Sequence, residues 1–193
     1  MCIIFYSNRT DAAIPENISE YRKAKILSAK KGRQAQINTA IALRAGFAHF
    51  GINECDVEYG FNKNGKPFAI NYPNLHFSIT HSENMSIIAF CDSEIGIDCE
   101  HFTKKVTKEV AKRFFTKNEF STYKDNYRLL WVAKEAYVKY TGKGLALGRA
   151  EAEIPYFEDC VSVGGVWFKR LCIEEYDCAI CTENEEAIQI IRV

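Results

Sequence analysis

The sequence predicts an α+β protein built from two similar α/β lobes, and three observations carry that prediction. Apolar strand-like runs and long helical runs both occur, at residues 2–6 and 34–50 for instance. The order of elements (strand, helix, long helix, glycine, strands) is met twice along the chain. A length of 193 residues suits one sizeable domain or two small ones packed together.

Each half supports the pattern in turn. The first opens on an apolar strand at 2–6, continues through a polar, helix-compatible stretch at 18–31, and reaches a long helix at 34–50. Ile37, Ala40, Ile41, Leu43, Phe47 and Phe50 recur there at helical spacing, and Gly51 stops the run. The second opens on strands at 87–91 and 95–100 around a turn at 91–94. Helices at 107–115 and 127–141 follow, and Gly142 ends the latter. Strand-like patches come after each long helix, at 69–70, 75–79, 161–169 and 188–193. The expected division is 1–92 and 93–193. No Pro/Gly/Ser-rich linker separates the halves, so the lobes are expected to pack as one unit with a ligand cleft.

Composition narrows the function classes. Lys plus Arg equals Asp plus Glu at 25 each, so no global field favours nucleic acid or a membrane surface. Charge is nevertheless uneven. Residues 21–33 hold six basic side chains and no acidic one, a run able to hold a phosphate; residues 174–186 hold six acidic ones, read as solvated surface. The first ten residues lack the pattern of a signal peptide, and no stretch is long enough to span a bilayer. The expectation is a soluble, cytoplasmic protein. Eight cysteines in mostly apolar contexts are expected to be buried, reduced thiols. Cys178 and Cys181 have ligand spacing but no second pair, which argues against a metal role for them.

Three clusters carry chemistry. In Gly96-Ile97-Asp98-Cys99-Glu100, strand alternation sends Asp98 and Glu100 to one face. Adjacent carboxylates repel unless a cation lies between them, and a hard ion such as Mg²⁺ is a natural one. Taken alone, so short a motif is better read as the solvated face of an edge strand. On the 127–141 helix, Leu129, Ala133, Ala136 and Tyr140 mark the buried side. Glu135 and Lys139, four apart, neighbour each other on another face. A routine surface ion pair would look the same, but Thr141-Gly142-Lys143-Gly144-Leu145 adds a tight reversal at the helix end. The third cluster is Gly65-Lys66-Pro67, then His76-Phe77-Ser78-Ile79-Thr80-His81-Ser82. His81 between two hydroxyls suits phosphate oxygens and a structural histidine about equally.

Taken together and in this order, residues 65–145 resemble the Sfp-type 4′-phosphopantetheinyl transferases. The resemblance implies a pseudo-duplicated fold, each lobe a small antiparallel sheet packed on a long helix. It implies transfer of the phosphopantetheine arm of coenzyme A to a serine of an apo acyl or peptidyl carrier protein, with 3′,5′-ADP released. It further implies Asp98, Glu100 and Glu135 around Mg²⁺, Glu135 as general base, and Lys139 on the diphosphate and leaving group. Thr80 and His81 would contact the nucleotide's phosphates, and Gly65, Lys66 and Pro67 would line the adenine. Lys23, with Lys30 and Arg44, falls among the basic positions, Lys23 near the 3′-phosphate. The partners implied are coenzyme A and the carrier, with no nucleic acid and no membrane. Internal duplication points to a monomer. Thr80 stands where the family pattern has serine, Ser78 where it has asparagine, and Glu20 where a second lysine is expected. The short stretch between Phe115 and Leu129 leaves the carrier class open. A non-catalytic coenzyme A or carrier-binding module of the same fold is the alternative, but such a module would not need Glu135. A different phosphate enzyme using the same carboxylate-and-lysine set, for example a nucleotide hydrolase, is a further alternative, and the lack of a Gly-x-x-x-x-Gly-Lys-Ser/Thr loop counts against it.

Overall fold

A computed structural model describes residues 1–124, 126–144 and 152–193. They form two compact units, Met1–Ser93 with Glu186–Val193, and Glu94–Glu185.

The first unit starts with β1 (Cys2–Ser7), whose unbroken apolar run is buried nearly throughout, as a strand covered on both faces requires. Helix α1 (Glu20–Ser28) is capped by the Ser19 side chain, which accepts from the Arg22 amide. Helix α2 (Arg33–His49) lies across β1 and across β5 (Met85–Cys91), which follows a short hairpin of β2 (Tyr59–Phe61) and β3 (Pro67–Ala69) and the strand β4 (His76–Ser82). Phe5, Leu43, Phe47, Phe77, Ile88 and Phe90 are the large side chains of its core. Gly46 makes the close approach possible, since a Cβ there would overlap the ring of Phe90.

The second unit contains β6 (Ile95–His101), α3 (Lys108–Phe114), α4 (Lys117–Thr122) and α5 (Tyr127–Thr141), followed by β7 (Cys160–Val163), β8 (Val166–Ile173) and β9 (Tyr176–Thr182). Its sheet, ordered β6-β9-β8-β7, is antiparallel throughout, and α5 lies across β6 and β9. Leu130, Ala133 and Ala136 of α5 meet Phe168, Ala179 and Cys181 of the sheet. Leu129 and Tyr140, expected on the buried side, are half-buried, and Leu130 takes the central position.

Three expectations are revised. The last strand, β10 (Ile188–Arg192), belongs to the first unit and not to the half that ends at 193, because it pairs with β1 from Cys2–Ile188 to Tyr6–Arg192. That pairing is parallel, so the first sheet, β10-β1-β5-β4, is mixed and not wholly antiparallel. Not every cysteine is a free thiol. The β1–β5 register sets Cys2 opposite Cys91 with Cα atoms 4.5 Å apart, and a disulfide joins them; Cys55, Cys99, Cys160, Cys172, Cys178 and Cys181 are not in disulfides. No helix among the described residues is long and apolar enough to cross a membrane.

Candidate active site

Strand β6 and helix α5 carry the charged candidates of the second unit, Asp98, Glu100, Glu135 and Lys139. Pairing with β9 fixes the phase of β6, with Gly96 opposite Cys181, Asp98 opposite Ala179 and Glu100 opposite Asp177. Cys181 and Ala179 belong to the core under α5, so Gly96, Asp98 and Glu100 share the helix side of the sheet. Ile97 and Cys99 take the other face, where Cys99 lies opposite Cys178 and its hydrogen bond to Cys178, followed by burial, raises the Cys178 thiol pKa. A Cβ at Gly96 would overlap the Ala136 carbonyl and the Tyr140 amide, so glycine brings the helix backbone down onto the strand.

That approach puts α5 within reach of the carboxylates. Lys139 Nζ donates to Asp98 Oδ1 at 2.7 Å, and Asp98 is only 7% exposed. Glu100, half-buried, has Lys104 Nζ 3.8 Å away. Glu135 is half-buried one helical turn before Lys139 on the same flank. Gly142 closes the helix in the left-handed conformation (φ 62°), its amide bonded to the Val138 carbonyl. Leu145, the last residue of the family-like span, lies outside the described residues.

The donor set of Asp98, Glu100 and Glu135 is all oxygen, since the Cys99 sulfur points away, and such a set fits Mg²⁺. Among the described residues these three do not bring one oxygen each within 4.8 Å of the others. The cation touching Asp98 is the Lys139 ammonium. Holding one ion on all three would need side-chain rotation.

A buried ion pair beneath the site has little sequence signal. Lys134, 5% exposed, meets Glu119, 1% exposed, at 2.6 Å and donates to the Ala152 carbonyl at 2.6 Å. Glu119 also accepts from the Ile154 amide and closes the capping box of α4 with Thr116. The pair therefore joins α4, α5 and the returning chain at 152–154, and fixes the rotation of α5 one residue before Glu135. Its only signal is position, because Leu130, Lys134 and Val138 fall four apart on the buried stripe.

The remaining candidates lie in the first unit. Gly65, Lys66 and Pro67 form the turn into β3, where Asn62 Oδ1 accepts from the Asn64 and Lys66 amides. Thr80 is buried and His81 exposed, as neighbours on β4 leave by opposite faces. Lys23 is paired with Glu20 at 2.6 Å. The buried member of that basic run is Arg22, beside Glu54 and Tyr59, and Glu54 accepts from Ser19 and from the Tyr59 hydroxyl. Burial, then Glu54, raises the Tyr59 pKa and keeps it a donor. Arg44 is exposed, donates to the Glu16 carbonyl, and lines a cavity of about 410 Å³ with Arg9.

A family model described as the 4′-phosphopantetheinyl transferase superfamily matches residues 94–191, just over half of the chain. The chain belongs to that superfamily. The match takes in β6 and α5 whole. Among curated relatives, 4′-phosphopantetheinyl transferase Sfp of Bacillus subtilis (strain 168) is 38% identical over 106 residues, 51% of this chain and 47% of its own. The ffp transferase of Bacillus subtilis is 35% identical over 118 residues, 57% of this chain and 52% of its own. The psf-1 transferase of Bacillus pumilus is 33% identical over 151 residues, 67% of this chain and 62% of its own. The chain spans about half the length of the curated relatives it matches.

Proposed function

We propose that the chain transfers the 4′-phosphopantetheine arm of coenzyme A to a serine of an apo carrier protein, with Mg²⁺ as the required ion. The observation that carries this reading is the Lys139–Asp98 contact beneath a helix seated on Gly96, inside the segment that matches the transferase superfamily.

The serine oxygen forms a bond to the β-phosphorus as the bond to the oxygen of 3′,5′-ADP breaks. Glu135 takes the serine proton, directly or through a water. Lys139 leaves Asp98 for the diphosphate and offsets or protonates the departing oxygen. Asp98, Glu100 and Glu135 are the residues that would hold Mg²⁺, which when bound neutralises diphosphate charge. Positioning and charge neutralisation dominate such a transfer, and losing one preorganised contact costs roughly 10²–10³ in rate. In this reading Gly65, Lys66 and Pro67 line the adenine, Thr80 and His81 meet phosphate oxygens, and Lys23 and Arg44 serve the basic nucleotide end.

The two units are further read as copies of one plan. In each, the opening strand pairs antiparallel with the second strand of a later hairpin, β1 with β5 of β4–β5 and β6 with β9 of β8–β9. A long helix precedes each hairpin. Such a chain would work as a monomer in the cytoplasm.

The test is direct. Incubated with coenzyme A, Mg²⁺ and an apo carrier protein, the chain should add the mass of one phosphopantetheine to the carrier, and Glu135→Ala should not. A carrier of unchanged mass with the unmodified chain removes the assignment.

A further inference from the structure

We propose that Cys2, Cys91 and Glu186 form a redox-gated site for a thiophilic divalent cation of the zinc class. The site is available when the two cysteines are thiols and closed when they are joined.

The three residues come from separate stretches of the first unit. Cys2 opens β1, Cys91 ends β5, and Glu186 lies two residues before β10. The Cys2 amide donates to the Ala187 carbonyl at 3.0 Å, which draws the lead of β10 alongside Cys2. Both cysteines are buried, and their sulfurs and a Glu186 carboxylate oxygen lie within 4.8 Å of one another. Among the described residues no other set of three His, Cys, Asp or Glu side chains converges so closely. Glu186 also has the Met1 nitrogen 2.7 Å away, and Cys91 Sγ has Asp92 Oδ1 at 3.6 Å as an outer carboxylate.

The chemistry of these donors selects the ion. Metal–sulfur bonds near 2.3 Å and metal–oxygen bonds near 2.0–2.2 Å put the ligand atoms of a tetrahedral ion about 3.5–4 Å apart. Atoms already within 4.8 Å reach that spacing by small side-chain rotations. Two sulfurs favour zinc-like ions over magnesium or calcium. With Glu186 third, a water completes the shell.

Disulfide and ion exclude each other. Opening the Cys2–Cys91 bond takes two electrons and two protons from a dithiol reductant, which leaves as its own disulfide. The cation then replaces the two thiol protons, which pass to solvent. The disulfide ties β1 to β5, whereas the ion would also engage the lead of β10. The inference does not rest on the transferase reading, since Cys2, Cys91 and Glu186 have no role in it.

Cobalt titration of the full chain tests it. The protein is prepared with all eight thiols reduced, and separately with the Cys2–Cys91 disulfide verified by peptide mass. The reduced form should take up one equivalent of Co²⁺, show a thiolate-to-cobalt charge-transfer band and release two protons. The oxidised form, which needs no substitution, should show no band. Cys2→Ser and Cys91→Ser, with folding checked by circular dichroism, should each abolish it. Glu186→Gln should weaken Co²⁺ binding about tenfold or more, since even outer-shell partners are worth that much. No band in the reduced protein overturns the proposal, as does an equal band in the oxidised protein or in either serine variant.

Discussion

In the first unit a glycine on the helix admits a bulky side chain from the sheet; in the second a glycine on the sheet admits the helix backbone itself. At α2, Gly46 makes room for the Phe90 ring, and the contact is apolar. At α5, Gly96 faces the Ala136 carbonyl and the Tyr140 amide with no side chain between. The second arrangement leaves the strand's own side chains within reach of the helix. Asp98, two residues past Gly96, therefore meets Lys139, whereas the corresponding space under α2 is filled by rings.

The sharpest separation of chemistry from packing is Glu135→Ala. The side chain is half-buried on the flank of α5, outside the apolar stripe. In the proposed reaction its loss should lower turnover by about 10²–10⁴, the usual contribution of a positioned base. Coenzyme A binding and the thermal midpoint should stay close to those of the unmodified chain. Turnover unaltered by the change would take Glu135 out of the mechanism and reduce the comparison to one of packing alone.

Next in size is the buried pair that orients α5. Lys134→Met leaves the Glu119 carboxylate buried without its cation, a change that costs about 3–5 kcal/mol. Replacing both partners, Lys134→Met with Glu119→Leu, removes the orphan charge but also the capping box and the bond to the Ile154 amide. The double variant should recover part of the loss in a denaturant titration and not all of it. Recovery above the unmodified chain would mean that the pair does not secure α4 and the 152–154 segment.

How much of this was legible follows from how local each feature is. Alternation in Gly96–Glu100 placed Asp98 and Glu100 on one face, and helical spacing placed Glu135 beside Lys139; both rest on residues at most four apart. The contact of Lys139 with Asp98 joins residues 41 apart and depends on the β6–β9 register, which no local pattern states. The return of β10 to β1 spans nearly the whole chain, and its short apolar run reads as well for either unit. Lys134 was hidden for another reason. A lysine on a helix is ordinarily solvated, and a buried acid 15 residues away together with the Ala152 carbonyl makes its burial tolerable. The Cys2–Cys91 pairing likewise follows from strand register and not from cysteine spacing.

The glycine contrast itself can be broken at Gly96. In Gly96→Ala the new methyl meets helix backbone that no side-chain rotation can move, so α5 must lift. Overpacking of this kind costs about 1–3 kcal/mol, and the upper end is expected. A lift of about 1 Å under the reacting groups can lower turnover by up to about 10²-fold. Trimming neighbouring side chains should restore neither stability nor rate. A stable, active Gly96→Ala protein would show that the helix is not seated on the strand as described.

Gly46→Ala should be the mildest of the four, because the atoms it meets belong to the Phe90 ring and not to backbone. The ring is fully buried among Phe5, Phe47 and Phe77, so it yields at a cost nearer about 1 kcal/mol. Here a compensating change exists. Phe90→Leu alone leaves a void and destabilises, but combined with Gly46→Ala it gives the added methyl room, so the double variant should lose less than the sum of the two singles. A double-mutant cycle in urea measures that coupling. Strictly additive losses would mean that the ring and the helix methyl do not share space, and the first unit's glycine would then need another explanation.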